Sequence, residues 1–123
     1  DMARTTATVG ALTARLSYGY SGAGIGVAVI DSGITAHNDF GASATSKLGQ
    51  RVTAFVDFVN NQSSKYDDWG HGTHVAGIIA GSGYESYGAR AGIGRGKRHA
   101  ILSTARQPTS RLRSCSSGKA TTY

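Results

Sequence analysis

The run Gly26-Val27-Ala28-Val29-Ile30 constrains the fold more than any other part of the chain. It is apolar without alternation and rich in β-branched residues, the pattern of a strand buried on both faces in a parallel sheet. The run stops at Asp31-Ser32-Gly33, a turn signal. Val52, Phe55, Val56 and Phe58 predict a second strand over 51–59, followed by a polar loop from Asn60 to Asp68. From His71 the period changes: Val75, Ile78 and Ile79 fall on one face of a helix. Strand, loop, strand, loop and helix, with polar residues at the element ends, is the order of an α/β protein. The expected fold is a partial parallel sheet with flanking helices.

Upstream, Val9, Leu12 and Leu16 recur at spacings of three and four, which predicts one short amphipathic helix over 5–18. Glycine inside a helix costs about 1 kcal/mol relative to alanine, so Gly72 and Gly77 each need a reason, and close packing against another backbone is the expected one. Two further glycine patterns fail their structural tests. Gly22-x-Gly24-x-Gly26 precedes its strand instead of joining a strand to a helix, so it is not a dinucleotide fingerprint. Gly96-Lys97 lacks the first glycine and the Ser/Thr of a phosphate loop, with Ala91 and Arg98 in those places.

The net charge of +6 is unevenly spread. Residues 1–89 hold five Lys/Arg against seven Asp/Glu, a net of −2, and residues 90–123 hold eight Lys/Arg and no acid, a net of +8. After Gly88 the apolar periodicity ends, and from Ser103 to Tyr123 only Leu112 is an aliphatic residue larger than alanine. Such a segment buries too little apolar surface to offset its ordering entropy. The division expected is therefore 1–93 as a folded portion and 94–123 as a disordered basic Ser/Thr/Arg-rich tail, of the composition a reading-frame change in a GC-rich gene would give. Cys115, the one cysteine, offers no disulfide framework. No apolar run approaches the roughly 20 residues needed to cross a bilayer. The start at Asp1-Met2 predicts a processed or fragmentary chain.

Two segments carry chemistry: Val27-Ala28-Val29-Ile30-Asp31-Ser32-Gly33-Ile34 and, forty residues on, Gly70-His71-Gly72-Thr73-His74-Val75-Ala76-Gly77. Together they closely resemble the Asp and His motifs of the subtilisin family of serine proteases (peptidase S8, the subtilases). The resemblance implies an incomplete subtilisin-like fold and peptide-bond hydrolysis by a Ser/His/Asp triad in the complete protein. Asp31 matches the carboxylate that orients the base, and His71 matches the general base. It also implies a polypeptide substrate and, by family habit, secretion. No cofactor is expected; calcium occurs in the family, but His37 and Asp39 supply one carboxylate, too little for a site. The likeness breaks at the nucleophile. This sequence has no Gly-Thr-Ser-Met-Ala-like segment, every asparagine (Asn38, Asn60, Asn61) precedes His71, and Ser103, Ser110, Ser114, Ser116 and Ser117 sit in no nucleophile-bearing turn. The chain as given is expected to be inactive.

Plainer roles compete for the same residues. Asp31 alone serves as an acceptor for the turn at Ser32-Gly33, and His71 alone as an exposed helix-start histidine. His74, one turn on, lacks the neighbouring Glu of a zincin and a third ligand, so a packed, hydrogen-bonded role is expected over metal binding. A different class of function, a non-catalytic protein whose basic stretch from Arg90 to Lys119 binds polyanions, would be sequence-blind and salt-dependent, since His99 and Tyr123 are its only rings. No specific nucleic acid is expected as a partner.

Overall fold

The computed structural model describes residues 2–41, 45, 50–94 and 100–105. Among these residues three α-helices and three strands follow in the order α1 (Met2–Thr8), α2 (Ala11–Tyr18), β1 (Gly26–Asp31), β2 (Val52–Asp57), α3 (His71–Ala80) and β3 (Ala100–Ala105), so the chain is α/β. The strands lie in the order β1-β3-β2, and both ladders run parallel. Val29, Ser103 and Phe55 share one row; Ile30, Thr104 and Val56 share the next.

Placing β3 in the middle corrects the expected tail. Residues 100–105 lie past the boundary set at 93, and Ser103 to Ala105, expected to be disordered, belong to a strand. Composition misleads because Ala100-Ile101-Leu102 needs no core of its own: it is a short apolar run that two flanking strands suffice to complete in backbone hydrogen bonds. The rest of the expected tail, 106–123, lies outside the described residues. The opening helix is also two helices. Gly10 takes a left-handed conformation (φ 74°) that glycine adopts without penalty, ending α1 and starting α2. Val9 and Leu16, the residues that suggested one stripe, are exposed.

The core lies between α3 and one face of the sheet. Val29, Ile34, Phe40, Val52, Ala76 and Ala80 are buried together, with Val27, Phe55, Val75 and Ile79 packed against them. On the opposite face Ile30 is 77% exposed and Val56 is also exposed.

Two helix glycines fare differently. A Cβ on Gly72 would lie 2.2 Å from the backbone oxygen of Gly33, so the expected backbone approach is present there. At Gly77 a Cβ would meet nothing within 4 Å, and the expected approach is absent among the described residues. The two substitutions should therefore have opposite signs. Gly72→Ala is expected to lower stability by about 1–3 kcal/mol through overpacking, and Gly77→Ala to raise it by up to about 1 kcal/mol through helix propensity; paired urea melts check both.

Candidate active site

Asp31 is the last residue of β1 and His71 the first of α3, so the site forms where the carboxyl edge of the strands meets a helix start. His71 Nδ1 lies 2.8 Å from Oδ1 and 2.9 Å from Oδ2 of Asp31. The Asp31 side chain is 18% exposed and that of His71 71%. Ser32 N–H also donates to Asp31 Oδ1 at 2.7 Å, so the plainer turn-acceptor role and the contact with His71 coexist on one carboxylate. Burial pushes the Asp31 carboxyl up, but the hydrogen bonds from His71 and Ser32 and the charge of His71 outweigh it, and the pKa falls below the usual carboxylate range.

The close approach depends on the turn after β1. Gly33 has φ 141°, and a Cβ there would lie 2.1 Å from the backbone oxygen of Tyr66, so only glycine fits. Its neighbour Ile34 donates from N–H to that same Tyr66 oxygen at 3.0 Å.

Asp67, in the polar loop between β2 and α3, joins the site although it is not among the residues expected from the sequence. Its Oδ1 accepts from Ser32 Oγ (2.7 Å), Gly70 N (2.8 Å) and Trp69 N (3.3 Å), and its Oδ2 from Thr73 Oγ1 (2.6 Å) and Thr73 N (2.8 Å). Burial raises its pKa, but these hydrogen bonds, led by those from Thr73, bring it below the ordinary value. No capping signal marks it, since the N-cap of α3 is Gly70, three residues beyond Asp67, and only the spacing to Thr73 is a local trace in the sequence. Asp57 is buried at the end of β2 and accepts from Val59 N, Asn60 N, Gln62 N and the Tyr66 hydroxyl. Burial opposes its ionisation, yet those donors bring its pKa down to about 2.

The other candidates fall elsewhere. His37 caps a 3-10 turn at Asn38–Phe40, its Nδ1 accepting from Asp39 N at 3.1 Å. His74 is exposed, not packed. Among the described residues no three His, Cys, Asp or Glu come together as a metal site, and no helix is long and apolar enough to cross a membrane. Of the tail serines only Ser103 is described, in the middle of β3; the others, with Cys115, lie outside the described residues.

A strand-end carboxylate thus meets a helix-start imidazole, and comparison with known proteins gives the family. The subtilase family model (Peptidase S8) matches residues 22–117, most of the chain and past the change of composition at 93. The chain belongs to the subtilase family. Its relatives include serine protease AprX of Bacillus subtilis, 46% identical over 68 residues (55% of this chain, 14% of AprX). Alkaline serine exoprotease A of Vibrio alginolyticus is 44% identical over 69 residues, 55% of this chain and 11% of that protein. Subtilisin Savinase of Lederbergia lenta is 40% identical over 62 residues, 50% of this chain and 19% of the relative. This subtilase chain thus aligns with less than a fifth of each relative's length.

The carboxylates give the fold a pH dependence. Each of Asp31, Asp57 and Asp67 binds its proton more weakly folded than unfolded, so its contribution is complete above about pH 4, the unfolded value, and is lost as pH falls through the lowered folded value. Urea midpoints should hold level from neutral pH down to about 5 and fall between about 4 and 2. Asp57→Asn should lower the midpoint at neutral pH and shrink the acid-induced fall.

Proposed function

We propose that Asp31 and His71 are the orienting carboxylate and the general base of a Ser/His/Asp triad that hydrolyses peptide bonds, and that this chain supplies only that half of the site. The contact of Nδ1 with both oxygens of Asp31 carries the reading. A carboxylate on Nδ1 holds the ring in the tautomer whose Nε2 is a free base, and it stabilises the imidazolium formed when Nε2 takes the hydroxyl proton of a serine. That serine would attack the substrate carbonyl to form an acyl-enzyme, His71 returning the proton to the leaving amine. In the full-length relatives the aligned segment is a small part of the chain. The strands β1, β3 and β2 are accordingly read as part of a larger parallel sheet, an incomplete subtilisin-like fold whose exposed Ile30 and Val56 face would be covered in the complete domain.

The substrate class is polypeptide, as the names of the relatives as proteases suggest. With a base but no nucleophile motif and no asparagine after His71 in its sequence, the 123-residue chain is inactive by itself. A fluorophosphonate probe, which labels only activated hydroxyls, is expected to leave the purified chain unmodified. Labelling of an added C-terminal fragment of a related subtilase, dependent on this chain and lost with His71→Ala, is the result that supports the half-site. Stoichiometric labelling of the chain alone, abolished by His71→Ala, would overturn its inactivity and point to one of its own serines.

A further inference from the structure

The His71 ring is 71% exposed, so packing around the imidazole cannot set where it points. Asp31 holds one edge, and the rest of its placement must come from the backbone that carries it. That backbone is anchored on both sides of His71 by one carboxylate and one hydroxyl. Asp67 takes the N–H groups of Trp69 and Gly70 before the histidine and of Thr73 after it. Ser32 Oγ accepts from Gly72 N–H at 3.0 Å while donating to Asp67 Oδ1 at 2.7 Å. Ser32 is also the neighbour of Asp31 and donates its own N–H to the Asp31 carboxylate. Thr73 Oγ1, which donates to Asp67 Oδ2, accepts from Thr35 N–H at 3.0 Å, a second tie to the segment after β1. The strand end that carries Asp31 and the helix start that carries His71 are therefore bound through one point.

We infer that Asp67 is a positioning residue, acting through Ser32 and the first turn of α3 to hold the His71 ring against Asp31. The inference rests on the reading of Asp31 and His71 as an orienter and base. The carboxylate form is required. Five donors converge on its two oxygens, whereas an asparagine would offer one oxygen and turn an NH₂ group toward donors that already point inward.

The test is the tautomer of His71 in the full chain, read from long-range ¹H–¹⁵N correlations of histidine-labelled protein in mildly alkaline buffer. The His71 signals are assigned by their loss in His71→Gln, and His37 and His74 serve as internal references. In the parent chain His71 should be held as the Nδ1–H tautomer, and Asp31→Asn should release it. Asp67→Asn should lower the ratio of Nδ1–H to Nε2–H by about tenfold, the scale of one charge-assisted hydrogen bond. Asp57→Asn removes a carboxylate with a comparable set of donors but no hydrogen bond to Ser32 or to the first turn of α3, and should leave the ratio unchanged. If circular dichroism shows Asp67→Asn to be unfolded, Thr73→Val, which deletes one hydroxyl of the network, decides with a smaller shift of the same sign. An unchanged His71 tautomer in the folded variant, or an equal shift in Asp57→Asn, overturns the positioning role while the triad reading stands. A parent chain with no Asp31-dependent Nδ1–H signal overturns the triad reading and this inference together.

Discussion

The structure depends on a contact between two backbones that leaves no room for a side chain. Gly33 follows the strand that ends in Asp31, Gly72 follows His71, and a Cβ on Gly72 would lie 2.2 Å from Gly33 oxygen and 3.1 Å from Asp31 Cβ. Because the strand end and the helix start approach this closely, the short side chains Asp31 and Ser32 can reach His71 and the Gly72 amide directly. A methyl group at Gly72 would have to push the helix away, and a displacement of an ångström would turn hydrogen bonds of 2.8–2.9 Å into contacts of little worth. Packing and site geometry are therefore a single constraint here.

Helix α3 is fixed as tightly at its far end, where every late carbonyl has a partner. Gly77 and Gly81 oxygens accept from the N–H groups of Gly81 and Gly92, and Ile78 and Ile79 oxygens from Ile93 and Gly94. The Ala80 oxygen takes Arg51 Nη1 at 2.8 Å. Arg51 is 3% exposed, and burial lowers the pKa of its guanidinium. Its charge is nonetheless well placed, since the negative end of the helix dipole lies against it. Residues 92–94 thus cap the helix before the chain enters β3. The helix is held between Asp67 at its start and Arg51 at its end, both contributed by other segments.

How much of this was legible follows from the range of the interactions. The unbroken Gly26–Ile30 run, the polar stop at Asp31 and the period change at His71 are local signals, and β1, α3 and the two candidate residues came directly from them. The break at Gly10 was also local, but the Val9, Leu12 and Leu16 spacing masked it. Strand β3 was missed because Ala100–Ala105 lies in a segment whose average is basic and polar, while its place depends on strands more than forty residues away in sequence. Asp67 was missed for a similar reason. Its spacing to Thr73 is readable, but its partner Ser32 lies 35 residues away, and only the fold brings them together. The Gly77 expectation failed because a glycine in a helix signals a close approach only when something approaches.

The apolar face of the sheet and the exposure of His71 are linked through adjacent residues. Ile30 points to the uncovered face, 77% exposed, and the next residue is Asp31, with His71 standing 71% exposed in water. An imidazole–carboxylate pair in solvent is screened, so its attraction is a small fraction of what the same pair exerts in a low-dielectric cleft. Any element that covered Ile30 and Val56 would gain roughly 25 cal/mol for each Å² of apolar surface it removed from water. The same act would thin the water beside Asp31 and strengthen its hold on His71. Covering that face and tightening the Asp31–His71 contact would then draw on one free-energy change. The geometry of the Asp31–His71 contact is therefore set by the backbones that carry it, and its strength by what lies over Ile30 and Val56.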